Sequence, residues 1–142
     1  MVPSRFRKEY RYNEISTSSQ GKLIIMMYEG ALKFVNLAIE GLDSKDLSKK
    51  GLYINKAHDI INELSLALDF NKGGEVAQRL ESLYQFMLKQ LTLANIKSDR
   101  QAVETVIKIL SPLTEAWEQL CHAPTDTGQG DQQPTKNITW KC

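Results

Sequence analysis

The chain has little of what several specialised protein classes require. Two cysteines in 142 residues are too few for a disulfide framework. The longest uninterrupted apolar run, residues 23–28, is far shorter than the roughly 20 residues that cross a bilayer or the roughly 7–15 of a signal-peptide core. Eighteen basic residues nearly balance seventeen acidic ones, so no global field favours nucleic acid. We therefore expect one cytoplasmic domain with no inserted membrane segment and no nucleic-acid partner.

Patterns that carry catalysis or bind metal are also missing. Di-iron helical bundles use Glu-x-x-His pairs, yet neither histidine, His58 or His122, has a glutamate three residues before it. Gly73-Gly74 lacks the Lys-Ser/Thr continuation of a phosphate-binding loop, and there is no Gly-x-Ser-x-Gly or Cys-x-x-Cys sequence. Glu63 and Asp69 fall among positions predicted to face solvent, which is typical of a charged helix face and not of an acid/base pair. The sequence predicts no enzyme, no metal site and no cofactor.

Four stretches repeat apolar residues at spacings of three and four, which is the pattern of amphipathic helices. The first covers about residues 20–42 and the second ends near Phe70. Gly73-Gly74 is the strongest break, because glycine closes helices and is costly inside them. A capping box formed by Ser98 and Gln101 starts the fourth helix. Four helices joined by short links predict an all-α fold, an antiparallel up-down-up-down four-helix bundle.

The predicted bundle domain comprises residues 18–122, with a further segment on either side. Residues 1–17 form an N-terminal arm that mixes aromatic and basic side chains and could include a short extra helix. Residues 123–142 are rich in Pro, Thr, Gly and Gln and have too little apolar surface to offset the entropy of ordering, so we expect a disordered C-terminal tail. Its one apolar island, Ile138-Thr139-Trp140, could dock elsewhere, although an accidental cluster is the simpler interpretation.

The first helix has more apolar surface than a bundle is expected to need. Its polar positions fall on one narrow stripe, whereas a surface helix needs an apolar arc only somewhat wider than about 100°. We expect something else to cover the remainder: the arm, a second copy of the chain, a membrane surface or a client protein. The predicted core stripe comprises Leu23, Met27, Phe34 and Leu37. Candidate partner contacts lie to either side of it and comprise Ile24, Ile25, Tyr28, Ala31 and Val35.

An ordered set of short stretches is similar to one known family. The stretches run from Tyr10 through Lys22-Leu23-Ile24-Ile25-Met26-Met27-Tyr28-Glu29-Gly30-Ala31-Leu32, Lys56-Ala57, Leu83-Tyr84 and Ala94-Asn95-Ile96 to Trp117. Taken together, residues 10–120 resemble the flagellin-specific export chaperones of the flagellar secretion system, the FliS family. The chain departs from the family pattern at Gln20, where Pro is usual, and at Lys89-Gln90, where a basic pair is usual.

The resemblance implies a function. A member of this family is a cytoplasmic chaperone that binds the disordered C-terminal segment of flagellin, prevents premature polymerisation and assists export through the flagellar type III secretion system. The implied state is a monomer when free and a 1:1 complex with the client, which is delivered to the export gate.

The resemblance also implies roles for particular residues. Tyr10 and Ile15 in the arm would cover part of the client groove when no client is bound, and Asn95 would contact the partner. The residue patterns themselves leave an alternative open. The chain would then be a non-enzymatic helical-bundle interaction or dimerisation module with a different protein partner.

Overall fold

The computed structural model describes residues 20–122, which form four α-helices. These are α1 (Gln20–Asp43), α2 (Leu47–Leu66), α3 (Phe70–Lys97) and α4 (Arg100–His122), and this part of the chain contains no strand. Each helix packs against its neighbours in sequence, and α1 also packs against α4. The predicted all-α, up-down-up-down four-helix bundle is therefore confirmed. The predicted arm, residues 1–17, and the predicted tail, residues 123–142, lie outside the described residues.

The large apolar side chains of α1 are mostly buried or half-buried. α1 packs against both α2 and α4. A helix at the corner of such a bundle buries a wider arc than a helix with one partner, because its neighbours lie on different sides. Met26 is the only large apolar side chain of α1 that is strongly exposed in the described structure. The expectation that something besides the bundle covers part of the apolar surface of α1 stays a prediction.

The core-facing stripe of α1 is also rotated from the predicted one. Tyr28, Ala31 and Val35 have no exposed surface and form the centre of the stripe. Leu23 and Phe34, which the sequence pattern places at the centre, only border the core. One residue turns a helix by about 100°, and the neighbouring helices decide which part of a wide apolar arc faces inward. The spacing within one helix does not contain that information.

The link between α3 and α4 differs by one residue from the predicted capping box. Asp99 Oδ1 accepts hydrogen bonds from the backbone N–H groups of Gln101 at 3.0 Å and Ala102 at 3.3 Å. Ser98 has a φ of 51° and ends α3 in the left-handed conformation. Because only two residues separate these helices, Ser98 closes the first and Asp99 caps the second.

Gly73-Gly74 breaks the helical backbone, as predicted, but the break lies within α3, one turn after its first residue. α2 ends at Leu66, and α3 begins at Phe70 behind Asp69, whose carboxylate accepts the backbone N–H groups two and three residues later. Gly74 has φ 51° and ψ −124°, so the helical backbone is interrupted there. Val76, two residues after Gly74, is 43% exposed. We attribute this to the interruption, which changes the direction of the first turn of α3.

Candidate functional site

The exposed apolar side chains lie mainly on α2 and α3. Apart from Met26, every large hydrophobic residue that is strongly exposed in the described part of the chain belongs to one of these two helices. Contiguous exposed apolar surface marks sites of interaction more often than single exposed residues do. A partner therefore finds more accessible apolar surface on α2 and α3 than on α1. The seven residues are Leu47, Leu52 and Leu66 on α2 and Phe70, Val76, Phe86 and Ile96 on α3.

A groove of about 220 Å³ runs between α2 and α3. Two of its lining residues, Ile54 and Leu91, are fully buried members of the core and form an apolar floor. Asn55, Thr92 and Asn95 are polar, and Ile96 beside them is 75% exposed. An apolar floor with polar groups around it is typical of a surface that receives an amphipathic peptide. The groove is lined by Ile54, Asn55, His58, Leu91, Thr92, Asn95 and Ile96.

A buried lysine ties α2 to the end of α3 beside this groove. Lys50 is only 7% exposed. Its Nζ donates to the carbonyl oxygen of Asn95 at 3.0 Å and to Ser98 Oγ at 3.1 Å. A cation at the carbonyl end of a helix is favourable because it meets the negative end of the helix dipole. Lys50 therefore holds the backbone of Asn95 in place relative to α2.

α1 and α2 approach each other closely at the same level of the bundle. A Cβ atom placed on Gly41 would lie 2.6 Å from the backbone nitrogen of Lys50, which is too short for any side chain. Gly51 differs, since a Cβ atom there would lie 3.8 Å from Asn95 Oδ1, an ordinary contact. The absence of a side chain at Gly41 sets the position of Lys50 and, through it, that of the groove.

A second groove, of about 450 Å³, lies between α1 and α4 and has a different character. Its charged lining residues are Glu29, Glu115 and Glu118, together with Lys33. No strongly exposed large apolar residue lines it. A predominantly acidic groove is a poor match for an apolar peptide face.

A hollow of about 430 Å³ lies where the α1–α2 and α3–α4 links meet. Arg100 on its wall donates from Nε to Asp43 Oδ1 at 2.8 Å and from a terminal nitrogen to Oδ2 at 3.2 Å. These hydrogen bonds hold the pKa of the Asp43 carboxyl below its ordinary value. Leu47 is exposed at the same hollow. The ion pair links α1 to α4 and occupies the polar part of the wall.

Two tyrosines form a polar contact inside the core. Tyr28 Oη and Tyr84 Oη lie 2.5 Å apart, and Trp117 stacks on Tyr28 with ring centroids 6.2 Å apart. Burial raises the pKa of both tyrosines, because a phenolate would be poorly solvated there. The pair joins helices α1 and α3, which are diagonal in the bundle, and it is not accessible to a partner.

The predicted contact residues of α1 lie inside the protein. Tyr28, Ala31 and Val35 are fully buried, and Ile24 and Ile25 are 6% and 7% exposed. The placement of these five beside the core is corrected: all but Ile25 belong to the core cluster itself. Contact between them and a partner stays a prediction, and it would require packed side chains to separate.

The remaining predicted contacts fall into two groups. Asn95 lines the α2–α3 groove, whereas Tyr10 and Ile15 lie outside the described residues. Ile96 and Phe86 were not among the predicted contacts, although both are exposed on α3. A signal for them exists in the sequence, because they are apolar residues that fall off the helix's periodic apolar stripe.

Two further features of the described residues bear on function. Residues 20–122 contain no group of three or more His, Cys, Asp or Glu side chains placed to hold a metal ion. Within the same range, no helix combines the length and the hydropathy needed to span a bilayer.

Known proteins resemble this chain in sequence and in fold. A family model described as flagellar protein FliS matches residues 3–124. The chain is 39% identical over 107 residues to the flagellar secretion chaperone FliS of Salmonella typhimurium, which covers 75% of this chain and 79% of that protein. It is 33% identical over 110 residues to the Bacillus subtilis chaperone of the same name, covering 78% and 81%. A crystal structure of a flagellar chaperone from bacteria has the same fold, with a TM-score of 0.66 at 22% identity over 80% of this chain and 94% of that one.

Proposed function

Because this chain belongs to the family of the flagellar protein FliS, we propose that it is a cytoplasmic chaperone that binds the C-terminal segment of flagellin. Binding would prevent premature polymerisation and assist export through the flagellar type III secretion system. The family resemblance drawn from the residues is confirmed, and the family is one of secretion chaperones and not of enzymes. A flagellar client follows from the family. Flagellin as that client, 1:1 stoichiometry with a monomeric chaperone and delivery to the export gate belong to the proposal.

The observation that carries the proposal is the family match over residues 3–124, and the α2–α3 groove supports it. The groove offers an apolar floor, and Asn55 and Asn95 offer amide groups that can donate to and accept from a peptide. Ile96 adds an exposed apolar contact at the same place. We assign the first contact of the client's helical face to this groove.

A client that folds as it binds gives a reversible complex. Such coupled folding typically buries about 1,000–3,000 Å² and spends several kcal/mol on ordering the client. The groove alone is too small for that area, so the client would extend along exposed apolar residues of α2 and α3 other than those at the α2–α3 turn. Reversibility is what delivery to an export gate requires, because the client must leave the chaperone there.

The N-terminal arm is a candidate competitor for the client. We propose that Tyr10 and Ile15 occupy part of the client surface when no client is bound, as the family resemblance implies. Deletion of residues 1–16 should then raise both client affinity and the binding of a hydrophobic dye. Unchanged values of both quantities would contradict this role for the arm.

Titration calorimetry with flagellin from the same cell tests the main proposal. The two ligands are full-length flagellin and a form lacking about its last 40 residues, the segment expected to fold on binding. We expect 1:1 binding of the intact form with a large negative heat-capacity change, and no heat with the truncated form. Equal binding of both forms, or of neither, would contradict the proposal.

A matched pair of variants tests the assignment of the groove. Ile96→Asp and Leu66→Asp make the same change at side chains that are 75% and 78% exposed, but Leu66 lies at the other end of the bundle. We expect Ile96→Asp to weaken client binding about tenfold or more, as loss of a central interface contact does, and Leu66→Asp to have little effect. Equal effects of the two variants would remove the groove from the client surface.

Sedimentation without client separates the remaining alternative. A dimerisation module would show a concentration-dependent sedimentation coefficient in the absence of flagellin. The chaperone proposal expects a single monomeric species across the same concentrations.

A further inference from the structure

Three exposed apolar residues lie at the α2–α3 turn and in the α3 turns that follow it, apart from the grooves described above. Leu66, Phe70 and Val76 are 78%, 48% and 43% exposed. Leu68, in the same turn, packs against the core instead. We call Leu66, Phe70 and Val76 the turn patch.

The backbone around the turn patch is well held by hydrogen bonds. The backbone N–H of Ala67 donates to the carbonyl of Glu63 at 3.0 Å, and that of Gly73 donates to the carbonyl of Asp69 at 2.7 Å. Ser65 Oγ also donates to the carboxylate of Glu81 on α3. The backbone of the turn is thus ordered, and its apolar side chains are exposed to solvent. Burying these side chains against a partner is favourable, and the turn loses little conformational entropy on binding because its backbone is already ordered.

The topology brings the turn patch and the end of α4 to the same end of the bundle. In an up-down-up-down bundle, α2 and α4 run in the same direction, so His122 and Leu66 end at one level. α4 packs against α3, which begins at the turn. The end of α4 therefore lies at the same end of the bundle as the turn patch.

We propose that the apolar island of residues 138–140, with Ile138 and Trp140 as its contacts, docks on the turn patch of the same molecule. The segment that follows His122 is polar except for this island. An indole and an aliphatic side chain match an exposed leucine, phenylalanine and valine in chemistry and in size. Disorder of residues 123–142, the expectation from composition, then applies to the linker and not to the island.

The length of the intervening chain suits this contact. Fifteen residues, 123–137, separate α4 from the island, and a chain of this polar, glycine-containing composition has a root-mean-square span of about 20 Å. Neighbouring helices in a bundle lie about 10 Å apart, so the linker reaches the turn without being stretched. A tether of this length gives an effective concentration on the order of millimolar, which populates even a weak contact.

Charge favours the tail over the N-terminal arm as the occupant. Residues 123–142 carry two Asp and two Lys and have no net charge, and the turn patch is flanked by both signs, Lys72 and Asp69. The arm carries Arg5, Arg7, Lys8 and Arg11 against two acidic residues. The acidic α1–α4 groove is a better electrostatic match for the arm than the turn patch is.

Fluorine NMR of the full chain labelled with 5-fluorotryptophan tests the contact without client. The chain has two tryptophans, and Trp140→Phe identifies the resonance of Trp140. We expect that resonance to lie away from the position of a solvent-exposed indole and to move to it in Leu66→Asp. Phe70→Ser provides a second variant if Leu66→Asp does not fold.

Leu47→Asp is the matched control, because Leu47 is 66% exposed at the opposite end of the bundle and should leave the Trp140 resonance unchanged. A Trp140 resonance at the solvent-exposed position in the unmodified chain would overturn the proposal. So would a response to Leu47→Asp equal to that to Leu66→Asp. A shift of the Trp140 resonance on deletion of residues 1–16, with none in Leu66→Asp, would place the island on the arm instead. These outcomes do not depend on flagellin binding, so they leave the proposed function untouched.

Discussion

α1 and α3 differ in how their apolar content relates to their exposed apolar surface. α1 has the most continuous apolar sequence, and among its described large apolar side chains only Met26 is strongly exposed. α3 has a more polar sequence, yet it exposes Phe70, Val76, Phe86 and Ile96. The helix whose sequence looks most suited to bind a partner thus exposes less large apolar surface than α3 does. An apolar helix at the corner of a bundle can bury its side chains against the neighbouring helices of the same chain, and this burial requires no partner protein.

The largest effect is expected at the contact between α1 and α2. Gly41→Ala should lower the free energy of unfolding by about 2–3 kcal/mol, because its Cβ atom would meet the backbone of Lys50 at 2.6 Å. Gly51→Ala is the control. Its nearest neighbour is at 3.8 Å, so the higher helix propensity of alanine should raise stability by up to about 1 kcal/mol. Urea unfolding measures both, and equal effects would show that the close approach at Gly41 does not constrain α1.

Removal of the hydrogen bonds from Lys50 to the end of α3 is expected to have the next largest effect on stability. Lys50→Met keeps the apolar stem but removes the donor to Asn95 and Ser98, so it should destabilise by about 2 kcal/mol. The neighbouring Lys49 forms an exposed ion pair with Glu40 at 3.0 Å, and Lys49→Met should cost about 0.5 kcal/mol or less. A comparison of urea midpoints checks the difference. Similar costs for the two lysines would mean that the buried donor does not hold α3.

The buried pair of Tyr28 and Tyr84 joins α1 to α3. Tyr28→Phe or Tyr84→Phe alone should cost about 1–2 kcal/mol, because each removes the hydrogen bond between the two buried hydroxyls. The double variant should cost less than the sum of the two. A double-mutant cycle in urea measures this coupling, and additive costs would contradict the contact.

The same pair predicts a loss of stability in alkali. Burial raises the pKa of Tyr28 and Tyr84 above the unfolded value of about 10, so above that pH the unfolded chain releases protons that the folded chain keeps. The pair's contribution is full below pH 10 and falls above it by up to about 1.4 kcal/mol per pH unit for each tyrosine. Unfolding curves at pH 9 to 11 should show a steeper loss in the unmodified chain than in the double phenylalanine variant. Parallel losses would show that the pair titrates normally.

The smallest effect is expected on the outer surface of α3. Ile96→Asp should change the free energy of unfolding by less than about 0.5 kcal/mol, since the side chain is 75% exposed. Thermal unfolding of this variant also validates its use in the binding experiment. A large destabilisation would show that Ile96 contributes to packing of the bundle, and the difference in exposed apolar surface between α3 and α1 would then be smaller than described.

Much of the architecture follows from periodicity and turn chemistry. The apolar spacing of three and four predicts four helices, and the described structure contains four. Errors of a few residues arise at the links, where several residues can cap a helix and one must be chosen. Ser98 and Asp99 are both good caps, and only the left-handed backbone at Ser98 selects Asp99.

The candidate site was predictable only in part. Asn95 is reached through the family resemblance, and the structure places it on the wall of a groove. Ile96 beside it lies off the apolar stripe of α3, and that position alone does not distinguish an isolated exposed residue from part of a site. Lys50 could not be anticipated, because its hydrogen bonds join residues more than forty positions apart in the sequence.

The sequence by itself determined the helices, their order and the family, because these depend on local spacing and on an ordered set of residues. Only the tertiary structure decided which face of each helix is buried and where apolar surface remains. A helix of α1's composition can bury any part of a wide arc, and the choice is made by α2 and α4, which pack on its two sides. Burial depends on how helices pack against each other, so the buried face of a helix cannot be predicted from the sequence of that helix alone.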